Sequence, residues 1–537
     1  MGKHRHRANF SKQFLRNMIK TKNPDEMLEE AKGEGLDKTL GVLDLIILGI
    51  GAIIGSGIFA VVGIAAAGGP ESVGAGPSLI LSMFVAAIAC VFSALCYSEF
   101  AAMIPIAGGA YTYTFATLGE FAAWMVGWTL MLEYAVGYIA VAVAWSKHLM
   151  QFLKGFGDFL PAFIINPPIW LVNDLKTATN IAKFDNIDIS TIVPHIFGIP
   201  VCFNLPAILA IIAITLILIK GTKDSTKMAG IMVFIKLAVI ALFVLVGAFY
   251  IKPVNWVPFA PNGVQGMFMG AFMIFFAYIG FDALATTAEE CKNPQKDLPI
   301  GIIGSLAATT VIYVLVALVL TGMHPTSGAV SQEFLDAPMA YLMSAAKQDW
   351  VAGLISIGSL AGLTSVLLVL QLAATRILYA MSRDNFLPKK LQKLHPKFHT
   401  PHVLTWLVGV IAIIGSLCLD LGIAASLCNF GTLTAFIIVC IAILILRKTD
   451  PDRHRPFKVP FSPWLPIMGI LCCGGLMIYS MTISKTSALL FPIWIGMGAL
   501  IYLHYGYKKN RKIEIAEEAE KERIEIEIYE QPIINEI

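Results

Sequence analysis

Long apolar stretches separated by short polar segments are the main pattern along this chain. A stretch crosses a lipid bilayer as a helix when it has about 20 residues, each adding about 1.5 Å. Stretches of this length lie near residues 42–68, 78–104, 120–150, 204–219, 230–251, 266–288, 300–323, 351–381, 403–420, 424–446, 466–484 and 488–507. The pattern predicts an all-α polytopic membrane protein with about twelve transmembrane helices.

The composition supports a membrane protein and excludes several other classes. The chain has 537 residues, of which 57% are hydrophobic and 14% charged, whereas soluble domains have about 25% charged residues. A net charge of +3 is too small to indicate nucleic-acid binding. The cysteines lie mostly in apolar stretches, without metal-ligand spacing, so we expect no metal site and no cofactor.

Lysine and arginine are concentrated in the loops of one side, which predicts that this side is cytoplasmic. With an even number of helices, both termini lie there, in a multi-pass protein of the cytoplasmic (inner) membrane. We expect a cytoplasmic tail over residues 1–40, a transmembrane domain over 41–507 and a charged cytoplasmic tail over 508–537. The longest loop on the opposite side, about 151–203, is expected to cap the outer face.

Two of the predicted helices are interrupted near their middle. The first contains GIGAIIGSGIF at 49–59, with four glycines in nine residues, although each glycine costs a helix about 1 kcal/mol relative to alanine. The sixth contains FFAYIGFDALATTAEE at 275–290, where Gly280 and Asp282 break the apolar run. Irregular backbone at membrane depth is tolerated only where it faces protein or a water-filled cavity.

The two interruptions are five helices apart, which predicts an inverted repeat. Paired breaks in two halves are typical of transporter binding sites, and an odd repeat length gives the halves opposite topology. The repeats would cover about 41–251 and 265–447, with two extra helices over 466–507. Tight helix packing is the alternative explanation of the glycines, but two breaks in register favour a site.

Several ordered stretches resemble the amino acid–polyamine–organocation superfamily and, within it, the cationic amino acid transporter family. They are GIGAIIGSGIF at 49–59, YSEFAAMIPIAGGAYTYTFATLGE at 97–120, GWTLMLEYAVG at 127–137, FFAYIGFDALATTAEECKNPQKDLPIGI at 275–302 and RILYAMSRDNFLP at 376–388. The resemblance implies a LeuT-type fold of five plus five helices and a bacterial amino acid permease that is not an enzyme. Family members carry cationic or neutral amino acids, so the resemblance leaves the substrate open.

The resemblance implies an amino acid between the two breaks. The carboxylate of an amino acid needs donors, which the free N–H groups at the start of a helix supply. Its ammonium needs acceptors, which unwound carbonyl groups supply. The residues expected beside the ligand are Ile54, Gly55, Ser56, Gly57 and Ile58 in helix one and Phe276, Ala277 and Ile279 in helix six.

Lys236 lies inside the apolar stretch of the fifth helix, where a lysine costs about 2.5–3.5 kcal/mol on insertion scales. In related sodium-driven carriers a sodium ion lies between helices one and five, and here the lysine resembles a built-in replacement cation. We expect its ammonium to bind carbonyl groups around Gly51 and Ala52 and to exchange protons during transport. The alternative is a side chain that extends to the lipid headgroups.

The side-chain end of the site gives conflicting signals. Glu133 in helix three would attract a basic substrate or carry a proton, and the alternative is a structural hydrogen bond. Gly137 follows one turn later and leaves room for a side chain. Ser365 and Leu367 are the lining positions that the resemblance implies in helix eight, where leucine favours a small or apolar side chain. The substrate class therefore stays open.

Gate residues complete the expected set. Phe276 resembles an aromatic gate that closes over the substrate, although an ordinary buried aromatic residue would have the same sequence position. Charged residues near the predicted cytoplasmic helix ends resemble ion pairs that lock the inner mouth, and a solvated or headgroup-facing surface is the alternative. These charged residues are Glu99, Glu120, Asp282 and Arg376.

We therefore predict a secondary active amino acid transporter that works by alternating access. Its partners are an amino acid, protons as coupling ion through Lys236 and membrane lipid, with no nucleic acid. An exchanger without proton coupling is the second transport hypothesis. A membrane sensor that binds amino acids without moving them is the rival from another class.

Overall fold

A computed structural model gives the architecture of the chain. It describes residues 18–32, 40–69, 72–106, 108–155, 159–184, 187–196, 199–220, 223–325, 330–398 and 400–506. Within these ranges nine helices are long and apolar enough to cross a membrane, and one bent helix pair forms a tenth span. Two shorter apolar helices follow the same pattern. The prediction of an all-α polytopic membrane protein is thus confirmed, and the predicted tail 508–537 lies outside the described residues.

The membrane helices agree with the apolar stretches of the sequence. They are α1a (Val42–Ile53), α1b (Gly57–Ala67), α2 (Leu79–Met103), α3 (Glu120–Lys154), α4 (Leu205–Lys220), α5 (Lys223–Gly247), α6a (Gly263–Tyr278), α6b (Phe281–Glu290, a 3₁₀ helix), α7 (Pro294–Met323), α8 (Asp349–Arg383), α9 (His402–Cys418), α10 (Leu421–Thr449), α11 (Trp464–Ile483) and α12 (Lys485–Ile501).

The connecting segments carry shorter elements. The short helices are Pro24–Lys32, Gly76–Ser78, Gly109–Thr117, Ala162–Ile165, Ile169–Val172, Leu175–Phe184, Ile189–Ile192, Ala248–Tyr250, Pro253–Trp256, Gln332–Asp336, Pro338–Ala345, Lys389–Gln392 and Tyr502–Gly506. The strands are β1 (Gly68–Gly69), β2 (Ser72–Val73), β3 (His195–Ile196) and β4 (Ile199–Pro200). They form two antiparallel pairs, β1 with β2 and β3 with β4.

The two predicted breaks are packed against each other, which explains their glycines. Helix one bends by 44° between α1a and α1b. A Cβ atom on Gly57 would collide with the backbone of Ala277 in α6a. Gly280 has φ +121°, and a Cβ atom there would lie 2.8 Å from the carbonyl oxygen of Ala52. Close approach of two unwound segments therefore requires glycine on both.

The helix pairing is the one expected for a five-plus-five repeat. Helix α1a packs on α7, and α6a packs on α2. Helix α5 packs on α8, and α10 packs on α3. Helices α4 and α9 contact each other. Exchanging each helix with the one five positions away reproduces these contacts, whereas α11 and α12 add to one flank, on α10.

The segment between α3 and α4 has a small apolar core of its own. Ala178, Val193 and Cys202 are its buried residues. Near it, the short helix Gln332–Asp336 packs on α1b and on the end of α3. These elements cover the end of the bundle opposite to the basic loops.

Candidate functional site

A small cavity of about 30 Å³ lies between the breaks of helices one and six. It has room for about two water molecules, which is less than an amino acid occupies. It is lined by Ala52, Ile53, Gly55, Ser56, Gly57, Glu133, Tyr134, Gly137, Val141, Phe276, Ile279, Gly280, Ala283, Val366, Val369, Leu370 and Cys428. We call it the central cavity.

Seven of the residues expected at the ligand line the central cavity. They are Gly55, Ser56, Gly57, Glu133, Gly137, Phe276 and Ile279. The hydroxyl of Ser56 is buried and has no hydrogen-bond partner among the described residues. A hydroxyl donor at the residue that precedes α1b is therefore available to an anionic group.

Two of the expected acceptors already hold protein donors. The carbonyl oxygen of Ile54 accepts a hydrogen bond from the ammonium of Lys236 at 2.7 Å. The carbonyl oxygen of Ala277 accepts one from the hydroxyl of Tyr313 at 2.7 Å. Ile54, Ile58 and Ala277 are buried, but they do not line the central cavity. Tyr313 on α7 was not anticipated, because nothing in the sequence links it to the break.

Helix α8 lines the central cavity with different residues than expected. Val366, Val369 and Leu370 line it, whereas Ser365 and Leu367 do not. The hydroxyl of Ser365 instead donates to the carbonyl oxygen of Gly362 at 2.7 Å. Consecutive residues of a helix point in directions that differ by about 100°. The sequence stretch alone therefore did not determine which face of α8 lines the central cavity.

Lys236 is completely buried and does not extend to the membrane surface. Its ammonium donates to the carbonyl oxygens of Gly51 and Ile54 in the broken part of helix one. The hydroxyl of Ser365 on α8 lies 3.5 Å from the same nitrogen. A Cβ atom on Gly362 would lie 3.2 Å from the Cβ atom of Lys236, so a glycine on α8 gives the lysine its space.

Glu133 lies in a π-helical turn of α3, Leu132–Val136, and such turns are frequent at functional sites. Its side chain is completely buried. Cys428 on α10 donates to its backbone carbonyl at 3.2 Å. The neighbouring Tyr134 donates its hydroxyl hydrogen to Asp282 of α6b at 2.6 Å. The turn thus presents an acid and a phenol to the break of helix six.

A larger cavity of about 340 Å³ lies beside the central cavity, toward the basic loops. The residues that line both cavities are Ala52, Tyr134, Ala283 and Val369. Arg376 and Arg383 line only the larger one, which we call the inner vestibule. The boundary between the central cavity and the vestibule is therefore formed by one residue each of α1a, α3, α6b and α8.

The opposite end of the bundle is closed by ion pairs. Lys147 at the end of α3 contacts Asp336 of the short helix Gln332–Asp336 at 2.6 Å. Lys176 contacts Asp420 at 3.1 Å. Two cavities, of about 80 Å³ and about 380 Å³, border the pair of Lys147 and Asp336 at this end.

The residues expected to form gates lie in different places. Phe276 lines the central cavity and Arg376 the inner vestibule. Glu99 pairs with Arg447 and accepts a hydrogen bond from the backbone of Val459 at 2.7 Å. Glu120 accepts a hydrogen bond from the hydroxyl of Tyr502 at 3.0 Å. These two acids line neither cavity and join helices at the periphery of the bundle.

Comparison with known proteins identifies the family to which this chain belongs. The family model described as amino acid permease matches residues 40–502. The chain belongs to the amino acid permease family. This membership confirms the resemblance that the sequence motifs indicated, and it makes the chain a multi-pass amino acid transporter rather than an enzyme. The match includes both breaks, Lys236 and Glu133.

Individual members of this family are similar over most of their length. The branched-chain amino acid permease BcaP of Bacillus subtilis (strain 168) is 41% identical over 496 residues, which cover 92% of this chain and 98% of that protein. The methylthioribose transporter of the same strain is 41% identical over 490 residues, 91% of this chain and 98% of that protein. Cationic amino acid transporter 9, chloroplastic, of Arabidopsis thaliana is 33% identical over 484 residues, 89% of this chain and 79% of that protein.

Proposed function

We propose that this permease is a proton-coupled amino acid symporter of alternating access. The observation that carries the proposal is the contact of the Lys236 ammonium with the carbonyl oxygens of Gly51 and Ile54. A protonated lysine holds these carbonyls, and a neutral amine offers at most a weaker donor. Protonation would therefore decide whether the broken part of helix one is held against α5.

The same break supplies donors for the substrate carboxylate. The N–H groups of Ser56, Gly57 and Ile58 begin α1b, where the helix dipole favours negative charge. The unpaired hydroxyl of Ser56 adds a donor. The carbonyl groups of Phe276 and Ile279 at the break of helix six supply acceptors for the substrate ammonium. Substrate binding and lysine protonation would thus act on the two ends of one unwound segment.

We infer that the substrate is a neutral amino acid with a branched aliphatic side chain. Val141, Val366, Val369 and Leu370 form an apolar wall of the central cavity, and a bacterial relative is a branched-chain amino acid permease. A cationic amino acid is the second candidate, because Glu133 lies on the same cavity. Methylthioribose, which another relative carries, has neither a carboxylate nor an ammonium for the two breaks.

The orientation follows from the same proposal. The inner vestibule and its Arg376 and Arg383 lie on the side of the basic loops, which we assign to the cytoplasm. Both termini would then be cytoplasmic in the cytoplasmic membrane, and the structure would correspond to an inward-facing state. Exposed apolar side chains such as Leu81, Phe234 and Leu471 would contact lipid.

Transport into proteoliposomes tests the coupling. We expect an imposed inward proton gradient to drive accumulation of labelled leucine. K236M should lose this response and keep leucine binding in a thermal-shift assay. K220M, at an exposed lysine at the end of α4, is the matched control and should keep the response.

Three outcomes would overturn parts of the proposal. A full proton response in K236M would contradict coupling through Lys236. Counterflow of leucine without any response to the gradient in the unmodified protein would favour an exchanger. Binding without any flux would favour a sensor.

A further inference from the structure

Three buried carboxyl oxygens at or next to the central cavity meet no donor with hydrogen-bond geometry among the described residues, although the hydroxyl of Thr432 on α10 faces Glu133. They are both side-chain oxygens of Glu133 and Oδ1 of Asp282. The two side chains are 0% and 3% exposed. Buried polar atoms of folded proteins nearly always have a partner, and an unpartnered buried charge is far more costly than a neutral group. These oxygens therefore indicate a missing hydrogen or cation.

The two carboxyl groups are direct neighbours across the interface of α3 and α6b. The other oxygen of Asp282 accepts the hydroxyl hydrogen of Tyr134 at 2.6 Å. Within the described part of the chain, no lysine, arginine or histidine forms an ion pair with Glu133 or Asp282. Two adjacent ionised carboxylates without a cation repel each other strongly at such burial.

The other titratable groups that face the pair are uncharged at neutral pH. Tyr97 of α2 and Tyr134 of α3 are phenols, and Cys428 of α10 is a thiol. The hydroxyls of Tyr97 and of Tyr113, in the helix Gly109–Thr117, are buried without a partner. Cys90 of α2 lies near Asp282. None of these groups can neutralise two carboxylates.

We propose that Glu133 and Asp282 share one proton and form a proton-binding site separate from Lys236. In this arrangement the protonated carboxyl of Glu133 donates to Oδ1 of Asp282, while Tyr134 donates to Oδ2. One proton thereby satisfies the two facing oxygens and leaves a single negative charge on the pair. The shared proton is a property of the protein without substrate and does not depend on the proposed transport function. Only its effect on gating rests on that function.

The shared proton has a mechanical consequence for the inner side of the site. It joins the π-turn of α3 to α6b, where Tyr134 separates the central cavity from the inner vestibule. Loss of the proton leaves two carboxylates in contact, and their repulsion moves α6b away from α3. The pair thus holds the central cavity closed while protonated and opens it toward the vestibule when deprotonated.

Infrared difference spectroscopy on the purified full-length protein tests the site without any transport step. A protonated carboxyl group has a C=O stretching band that shifts when water is replaced by heavy water. A carboxylate has no such band. We expect the unmodified protein to show one such band at neutral pH. E133Q should lose it, because Asp282 then keeps the hydrogen bond from Tyr134 and has no second carboxylate beside it, and D282N should shift its frequency, because Glu133 then holds the proton alone. E333Q, at an exposed outer acid, is the control and should keep the band.

The decisive measurement is the carboxyl band of the unmodified protein. The test therefore remains valid even if one of the variants does not fold. A spectrum without a protonated carboxyl band at neutral pH would overturn the proposal, as would a band that is unchanged in both E133Q and D282N. Loss of the band on addition of arginine but not leucine would also overturn it, because the site would then hold a cationic side chain. Loss of proton-driven uptake in K236M with the band intact separates this site from the coupling lysine.

The consequence for gating has its own measurement. Counterflow of labelled leucine should fall as the pH is raised above the range in which the pair is protonated, because the central cavity no longer closes. D282N should lose most of this fall, since a pair with one carboxyl cannot repel itself. The same steep fall in D282N as in the unmodified protein would contradict the gating consequence.

Discussion

The hydroxyl of Tyr313 on α7 donates to the carbonyl oxygen of Ala277 at the end of α6a, at 2.7 Å. This contact fixes one of the two unwound segments to a helix that does not line the central cavity. The hydroxyl also lies 3.1 Å from the carbonyl oxygen of Ile53 in α1a. A single side chain thus holds the ends of both breaks.

Y313F should weaken leucine binding at the central cavity without adding any atom to the cavity. The variant leaves the buried carbonyl group of Ala277 without its donor, which costs about 1–3 kcal/mol. We expect a lower unfolding temperature and weaker leucine binding in a thermal-shift assay. Y341F is the control, because the ring of Tyr341 packs on Phe334 near the outer face. Equal losses in the two variants would contradict a specific role of Tyr313.

G57A should prevent assembly of the two breaks. The added Cβ atom would collide with the backbone of Ala277, and a backbone neighbour cannot rotate away. We expect leucine binding and counterflow to be lost. G353A on α8 is the control, since a Cβ atom there meets nothing within 4 Å. Normal counterflow in G57A would show that the close approach of the breaks is dispensable.

The ion pair between Lys147 and Asp336 should respond unequally to loss of its two partners. The side chain of Lys147 is 9% exposed and that of Asp336 24%. D336N leaves a buried ammonium without its counter-charge, whereas K147M replaces it with an apolar side chain. We expect D336N to lower the unfolding temperature more than K147M. K154M, at an exposed pair with Glu333, should change it least, and the reverse order would contradict this account.

V369A should change which amino acids are carried. Val369 on α8 lines both cavities. The substitution removes two methyl groups, and each carbon lost from an apolar pocket changes selectivity by about 1–3 kcal/mol. We expect uptake of phenylalanine relative to valine to rise roughly 10-fold. V311A, at an exposed residue of α7, serves as control, and an unchanged ratio in V369A would place the substrate side chain elsewhere.

Much of the architecture was predictable because bilayer thickness sets the length of apolar helices. The two breaks were predictable because glycine is costly in a helix unless backbones meet, and Gly57 and Gly280 do meet a neighbouring backbone. The depth of Lys236 was predictable because an apolar stretch flanks it on both sides. The direct match of the family model to residues 40–502 confirms the family inferred from these motifs.

Other features depend on rotations and on contacts between distant segments. The face that α8 presents to the central cavity differs by one residue from the expected one, since Val366 lines it and Leu367 does not. Glu99 lies near the end of α2, where a gate residue was expected, yet it pairs with Arg447 of α10. The nearness of Glu133 to Asp282 joins helices that are far apart in the chain. Periodicity carries no information on such pairings.

The burial of Lys236 beside Gly362 has a consequence for the environments in which the permease works. A cation attached to the chain has a fixed local concentration, whatever the salt content of the medium. Only its protonation can vary. The proposed coupling through Lys236 therefore predicts leucine uptake that is equal in sodium-containing and sodium-free media.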